Sequence, residues 1–133
     1  MTSMPPTPSN RPALIVVERP GAPRSPAWQE LGVAFELSFV TDAKALLAAL
    51  SERDAALVVV DDLEPADAFA LRDAVSAAGR HEPFAMYTHR AGEDEAVEAL
   101  RRGFTDYVVK RAESPRADLL ARRLERSVEI ARL

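Results

Sequence analysis

The chain has 133 residues, which is the length of one ordinary domain and is enough to bury a hydrophobic core. With 47% hydrophobic and 29% charged residues, its composition is typical of a globular protein and excludes a fibrous or fully disordered one. The formal net charge of -4 argues against nucleic acid as a direct partner, because its phosphates would be repelled. The absence of cysteine excludes disulfides, thiolate metal ligands and cysteine nucleophiles, and it suits a reducing cytoplasm.

The N-terminal segment predicts neither a signal peptide nor a membrane anchor. No apolar run in the chain approaches the roughly 18 residues that a membrane helix needs, so no membrane partner is expected. Residues 1–12, MTSMPPTPSNRP, are rich in proline and small polar residues. We therefore predict a disordered leader over 1–12 and a single domain over 13–133.

Short apolar segments predict the strands of a parallel sheet. The first and third are continuous and β-branched, which is typical of strands buried on both faces. The second alternates apolar with polar residues, as a half-buried strand near a sheet edge does, and the last two are weaker. In chain order the segments are Ala13–Val17, Val33–Val40, Leu57–Val60, Phe84–Tyr87 and Tyr107–Val109.

Helical patterns separate these strands. The first is short, because prolines leave only Pro26 to Leu31 for it. The others carry apolar residues at helical spacing between start and stop signals such as N-caps, acidic first turns, proline and glycine. Those signals are Thr41 for the second helix, Pro65 and Gly79 for the third, Glu93–Glu95 and Gly103 for the fourth, and Ser114–Pro115 for the fifth.

Strands that alternate with helices predict an α/β fold with a doubly wound parallel sheet, whose working site lies at the carboxyl ends of the strands. A carboxylate there can attack phosphorus, while a hydroxyl and a cation balance the charge that develops. Each polar residue alone would be explained by a strand reaching water, so only their combination predicts a site. The residues at those ends are Glu18 and Arg19, Asp61 and Asp62, Thr88 and His89, and Lys110.

Three segments resemble the receiver domains of bacterial response regulators. Residues 55–65, AALVVVDDLEP, resemble the third strand of that family, with its phosphorylated aspartate four residues before a proline. Residues 84–88, FAMYT, look like its fourth strand, and residues 103–110, GFTDYVVK, are similar to the motif that leads to its lysine. The resemblance extends from Ala13 to the C-terminus and implies a flavodoxin-like (βα)5 fold with five parallel strands.

The resemblance also implies roles for individual residues. Asp61 would accept a phosphoryl group, Thr88 would hydrogen-bond one of its oxygens, and Lys110 would pair with it. Tyr107 matches the aromatic residue whose rotamer follows the phosphorylated state. The implied function is signal transduction in a two-component phosphorelay through protein contacts, without an enzymatic activity of its own.

A magnesium site is implied as well, but the sequence departs from the family there. The family holds Mg²⁺ with the phosphorylated aspartate, an acidic pair after the first strand and a backbone carbonyl, which correspond to Asp61, Glu18 and Leu63. Arg19 stands where the second acid belongs, and a guanidinium cannot be a metal ligand. Arg19 would either pair with Asp61 in place of the cation or turn into water. We expect Mg²⁺ binding to be weak or absent.

Two alternatives remain open from the sequence. Arg19, His89 and the missing glycine after Pro65 favour a pseudo-receiver, an interaction module that no longer depends on phosphate. A flavodoxin-like cofactor binder would need a glycine-rich loop after the first strand, whereas the segment Glu18–Pro23 has one glycine and two prolines.

The resemblance implies protein partners. They are a histidine kinase or histidine phosphotransfer protein upstream, and a downstream target or a fused output domain. Leu119, Ile130 and Leu133 lie off the apolar stripe of the last helix and are candidates for contact with a second copy of the chain.

Overall fold

The computed structural model describes residues 11–90, 92–110 and 117–132. Most of the predicted leader and the predicted start signal Ser114–Pro115 lie outside these residues. The described chain alternates strands with helices throughout. In order they are β1 (Ala13–Glu18), α1 (Ala27–Leu31), β2 (Glu36–Val40), α2 (Ala43–Glu52), β3 (Leu57–Asp61), α3 (Pro65–Ala77), β4 (Phe84–Thr88), α4 (Glu93–Arg101), β5 (Asp106–Val109) and α5 (Ala117–Arg132).

The strands form one parallel sheet in the order β2-β1-β3-β4-β5. This order confirms the predicted doubly wound, flavodoxin-like α/β fold. From β1 the chain first adds β2 on one side of the sheet and then adds β3, β4 and β5 on the other side. The neighbours β1 and β3 therefore lie where the strand order reverses, which is the topological switch point. Ligand sites of such sheets lie at the carboxyl ends of those strands.

Two hydrophobic cores cover the sheet, one on each face. The first packs α1 and α5 against one face of the sheet, through Trp28, Leu31 and Leu124 among others. The second packs α2, α3 and α4 against the other face, through Leu46, Leu71 and Ala99 among others. All residues of β3 and β4 are buried, as expected for central strands that are covered on both sides.

Several boundaries differ from the sequence prediction: β1, β3 and β4 end one residue later, β5 begins one residue earlier, and two further differences have a clear cause. The N-cap of α2 is Asp42 rather than Thr41, because the Asp42 carboxylate accepts a hydrogen bond of 2.7 Å from the Ala45 N–H. Strand β2 begins at Glu36 rather than Val33, which is 84% exposed in the turn after α1. In both places several residues satisfy the local pattern, and hydrogen bonds select one of them: the Ala45 N–H donates to the Asp42 side chain, and the Glu36 N–H donates to the Pro12 carbonyl.

None of the described helices is long and apolar enough to cross a membrane.

Candidate functional site

The carboxyl ends of the central strands bring the predicted residues to one edge of the sheet. The parallel register pairs Glu18 of β1 with Asp61 of β3, and Asp61 with Tyr87 of β4. Lys110 follows β5 directly, and its backbone N–H donates a hydrogen bond of 2.6 Å to the carbonyl of Thr88. Residues that lie 49 positions apart in the sequence, Asp61 and Lys110, therefore meet at this edge.

Asp61 and Lys110 form a buried ion pair at the centre of the site. The Lys110 ammonium contacts Asp61 Oδ1, and the two side chains are only 9% and 6% exposed. The same ammonium donates to Ser25 Oγ at 2.8 Å and lies 3.1 Å from Asp62 Oδ2. It also lies 4.7 Å from the centre of the Tyr87 ring, a favourable cation–π position. Lys110 thus links two carboxylates and neutralises charge in a region from which water is largely excluded.

A tryptophan from α1 completes the surroundings of Asp61. The indole Nε1–H of Trp28 donates to Asp61 Oδ2 at 2.7 Å, and Ser25 Oγ lies 3.5 Å from the same oxygen. Trp28 is 1% exposed and packs edge-on against Tyr87 and Phe39. Both oxygens of the Asp61 carboxylate therefore accept hydrogen bonds from protein donors, one charged and one neutral.

Asp62 lies beside this pair in an uncommon backbone conformation. Its φ of 55° is in the left-handed region, which aspartate tolerates better than most residues. The backbone N–H of His89 donates to Asp62 Oδ1 at 2.7 Å, and His89 Nδ1 contacts Oδ2. Burial raises the pKa of Asp62, but the N–H of His89 and the ammonium of Lys110 outweigh it and hold that pKa below its ordinary value.

We expect the free energy of unfolding to fall less steeply with decreasing pH in Asp62→Asn than in the parent. A carboxyl whose pKa is lowered by folding stabilises the protein above its unfolded pKa of about 3.9, and that stabilisation is lost as pH falls through the folded value. Asparagine tolerates the same backbone conformation, so the substitution removes mainly the charge. Urea unfolding from neutral pH down to about pH 3 measures the effect. Parallel profiles for parent and variant would contradict it.

The hydroxyls of Thr88 and Tyr107 point to a different place. Thr88 is buried, and its Oγ1 accepts a hydrogen bond of 3.2 Å from the N–H of Arg90. Tyr107 Oη lies 2.8 Å from the carbonyl of Arg90 and contacts the Glu95 carboxylate. Burial, followed by the hydrogen bond to Glu95, raises the pKa of Tyr107. Both hydroxyls are therefore tied to the connection between β4 and α4, and neither bonds Asp61 among the described residues.

The residues predicted for Mg²⁺ do not form a set of ligands. The Glu18 carboxylate pairs with Arg24 at 2.8 Å, and both Asp61 oxygens are occupied by Trp28 and Lys110. Within the described residues no cluster of three or more His, Asp or Glu side chains is arranged to hold an ion. Mg²⁺ needs several oxygen ligands in near-octahedral geometry, so the donor set of this pocket does not fit it.

The cation beside the acidic pocket is Arg24 and not Arg19. Arg19 is exposed, and no hydrogen bond or ion pair joins it to Asp61 within the described chain. Of the two arrangements predicted for Arg19, the structure has the one in which the side chain turns into water. Arg24 instead spans the loop back to Glu18, and its guanidinium lies 3.6 Å from the centre of the Phe39 ring.

Sequence reasoning missed three contributors to the site: Arg24, Ser25 and Trp28. All three belong to the proline-rich segment between β1 and β2, where the hydrophobic pattern does not show which way a side chain points. One signal was available, since Trp28 is the single tryptophan of the chain and lies in the predicted first helix, which follows the carboxyl end of the first strand. A polar ring N–H in a buried position requires an acceptor nearby.

Comparison with known proteins places the fold. No family model matches the sequence, and no curated protein matches it. Among solved structures, a response regulator from Thermotoga maritima has a TM-score of 0.72 at 18% identity, over 90% of this chain and 98% of that one. The receiver domain of the Francisella response regulator 1452 has a TM-score of 0.68 at 19% identity, over 91% and 99% of the two chains.

A third similar structure has a higher sequence identity. NtrX from Brucella abortus in complex with ATP matches with a TM-score of 0.70 at 26% identity, over 91% of this chain. The match covers 28% of the NtrX chain, so this chain corresponds to one part of that larger protein. By its sheet order and these neighbours, the chain has the fold of response-regulator receiver domains.

Proposed function

We propose that this chain is a response-regulator receiver domain of two-component signalling and that it is switched by transfer of a phosphoryl group to Asp61. The observation that carries the proposal is the contact between the Asp61 carboxylate and the Lys110 ammonium at the carboxyl edge of the sheet. A carboxylate oxygen can serve as the nucleophile, and an adjacent fixed cation stabilises the charge on the phosphoryl oxygens. The three ammonium hydrogens of Lys110 are directed at Asp61, Ser25 and Asp62, so one of them would turn from these partners to a phosphoryl oxygen.

The transfer is a simple displacement at phosphorus. An Asp61 oxygen forms a bond to phosphorus, the bond from phosphorus to its donor breaks, and the donor leaves with the electron pair of that bond. With acetyl phosphate the leaving group is acetate, and with a phosphorylated histidine it is the imidazole. The product is an acyl phosphate on Asp61, whose extra negative charge lies next to Lys110.

We expect acetyl phosphate to add one phosphoryl group to the parent protein and none to Asp61→Asn. Intact-mass spectrometry measures the gain, and loss of the label on treatment with hydroxylamine identifies it as an acyl phosphate. Because Glu18 and Asp61 are occupied by protein donors, we expect the labelling rate to change little between Mg²⁺ and EDTA.

The neighbouring carboxylate provides a matched control. Asp62→Asn removes the other carboxylate that contacts Lys110 and should still acquire the label. If Asp61→Asn still acquires the label and Asp62→Asn does not, the phosphorylated residue is Asp62 and not Asp61. Absence of label in the folded parent would favour the pseudo-receiver, a module that acts through protein contacts without phosphate.

The partners proposed for this function are proteins. A histidine kinase or a histidine phosphotransfer protein would supply the phosphoryl group, and a downstream protein or fused output domain would read the state of the receiver. A second copy of the chain is a further proposed partner, through the exposed Ile130 of α5. Such kinases deliver phosphate in the cytoplasm, where a chain without cysteine is well suited.

A further inference from the structure

Trp28 holds a position from which it controls access to Asp61. Its indole N–H lies 2.7 Å from Asp61 Oδ2, and Lys110 occupies Oδ1. Asp61 itself is only 6% exposed. In this arrangement both carboxylate oxygens accept hydrogen bonds, and the buried Trp28 lies beside the carboxylate, where it restricts the approach of a phosphoryl donor.

Phosphorylation of Asp61 requires this arrangement to change. An attacking oxygen becomes an ester oxygen and loses most of its negative charge, so a donor bound to it loses most of its hydrogen bond. Lys110 gains by staying, because a cation is attracted to the incoming phosphoryl oxygens. Trp28 is a neutral donor without that gain, and its ring is bulky, so it is the group that must withdraw.

The rest of α1 follows Trp28. The helix spans Ala27–Leu31, about one and a half turns, and its N-cap Pro26 provides no side-chain hydrogen bond. A helix this short has little stability of its own and depends on the packing of its buried side chains. Those side chains, Trp28 and Leu31, pack in the same core as Leu124 and Val128 of α5. A shift of α1 would therefore be felt by α5, because the two helices pack against each other.

The hydroxyls on the other side of the sheet are engaged elsewhere in this state. Thr88 accepts from the N–H of Arg90, and Tyr107 lies against the carbonyl of the same residue. Of the side chains on α1 and on the connection from β4 to α4, Trp28 is the one that bonds the Asp61 carboxylate within the described chain.

We propose that Trp28 is a positioning residue that holds Asp61 in its resting geometry through the indole N–H, and that α1 moves when a phosphoryl group displaces it. This inference rests on the proposed phosphorylation of Asp61. It names α1 and its contact with α5 as the elements through which the phosphorylated state is transmitted.

The experiment compares the ¹⁵N-labelled parent with Trp28→Phe and Leu50→Ala, with and without excess acetyl phosphate. The parent has one tryptophan, so its spectrum contains a single indole N–H signal that reports the bond to Asp61. Phenylalanine retains an aromatic ring but has no N–H. Leu50 is buried in the other core, on α2, so Leu50→Ala controls for a general loss of stability. Intact mass gives the labelling rate of each protein.

We expect the indole signal and the backbone amides of Ala27–Leu31 to shift as the label appears. Trp28→Phe should be labelled about tenfold faster than the parent, the factor that corresponds to losing one hydrogen bond to a charged group before the transition state. Leu50→Ala should be labelled at the parental rate. Label in Trp28→Phe alone would show that a phosphoryl group does not displace Trp28 in the parent, and it would refute the proposed movement of α1.

Two kinds of outcome would overturn the inference. One leaves the proposed function standing, and the other refutes the proposed function as well. Label in the parent with an unmoved indole signal, or with Trp28→Phe no faster than the parent, would refute the role of Trp28 and leave the proposed function standing. Absence of label in all three folded proteins would refute the proposed function and this inference with it.

Discussion

Lys110→Met is expected to lower the free energy of unfolding by about 3–4 kcal/mol, because it leaves the Asp61 carboxylate buried without a cation. The remaining donors to Asp61 within the described chain, Trp28 and Ser25, are neutral. Neutral donors offset only part of the cost of removing an ionised carboxylate from water. Methionine is similar in length to the apolar stem of lysine, so that lost packing contributes little, while the cation–π contact of the ammonium with Tyr87 is lost as well. Urea unfolding at pH 7 measures the difference.

Removing the other member of the pair, by Asp61→Asn, is expected to lower the free energy of unfolding by distinctly less. Lys110 then retains Asp62 at 3.1 Å and Ser25 at 2.8 Å, so its charge stays compensated. Arg102→Met serves as the surface control, because Arg102 is close to half exposed, and its pair with Glu98 and its contact with the Phe69 ring together should contribute about 1 kcal/mol or less. Equal losses for Lys110→Met and Asp61→Asn would contradict the asymmetry and imply that Asp62 does not stabilise the ammonium.

Trp28→Ala is expected to lower the free energy of unfolding by about 4 kcal/mol, the range observed for large aromatic side chains in cores. Two losses add here, the apolar contacts with Phe39 and Tyr87 and the hydrogen bond to Asp61. Trp28→Phe should cost about 2 kcal/mol, because most of the ring contacts remain and the bond to a charged acceptor is lost. Thermal or urea unfolding of both variants measures these values.

A double-mutant cycle separates the hydrogen bond from the packing. Trp28→Phe and Asp61→Asn are combined, and the coupling free energy is the departure of the double variant from additivity. We expect a coupling of about 1.5 kcal/mol, as for a hydrogen bond to a charged group. Strict additivity would mean that the indole N–H and the carboxylate do not stabilise each other in solution.

The strands and most helices were predictable from the sequence because each is specified by residues that are local in the chain. Buried runs such as Leu57–Val60 cannot be solvated on either face, and this property alone indicates a covered parallel strand. Proline at 65 and glycine at 79 and 103 act through their own backbone restrictions. The N-cap of α2 was misplaced by one residue, because threonine and aspartate at 41 and 42 both satisfy the pattern.

The meeting of Asp61 with Lys110 was also predictable, since carboxyl ends of parallel strands share one edge and the resemblance gave both residues a role there. The position of Thr88 follows from a finer property, the register. Asp61 pairs with Tyr87, and paired residues of a parallel sheet point to the same face, so Thr88 points to the other. That register is the alignment of β3 with β4, and the sequence of neither strand alone specifies it.

The sequence by itself determined the order of the elements, the sheet edge that carries the site and the central pair of charges, because these depend on hydrophobic period and on chain direction. Only the tertiary structure decided which donors surround Asp61. Trp28 lies 33 positions from Asp61, and Arg24 rather than Arg19 reaches Glu18. Such contacts depend on the path of an irregular segment and on rotamers selected by packing against β1 and β4, and these are properties of the assembled fold rather than of any local stretch of chain.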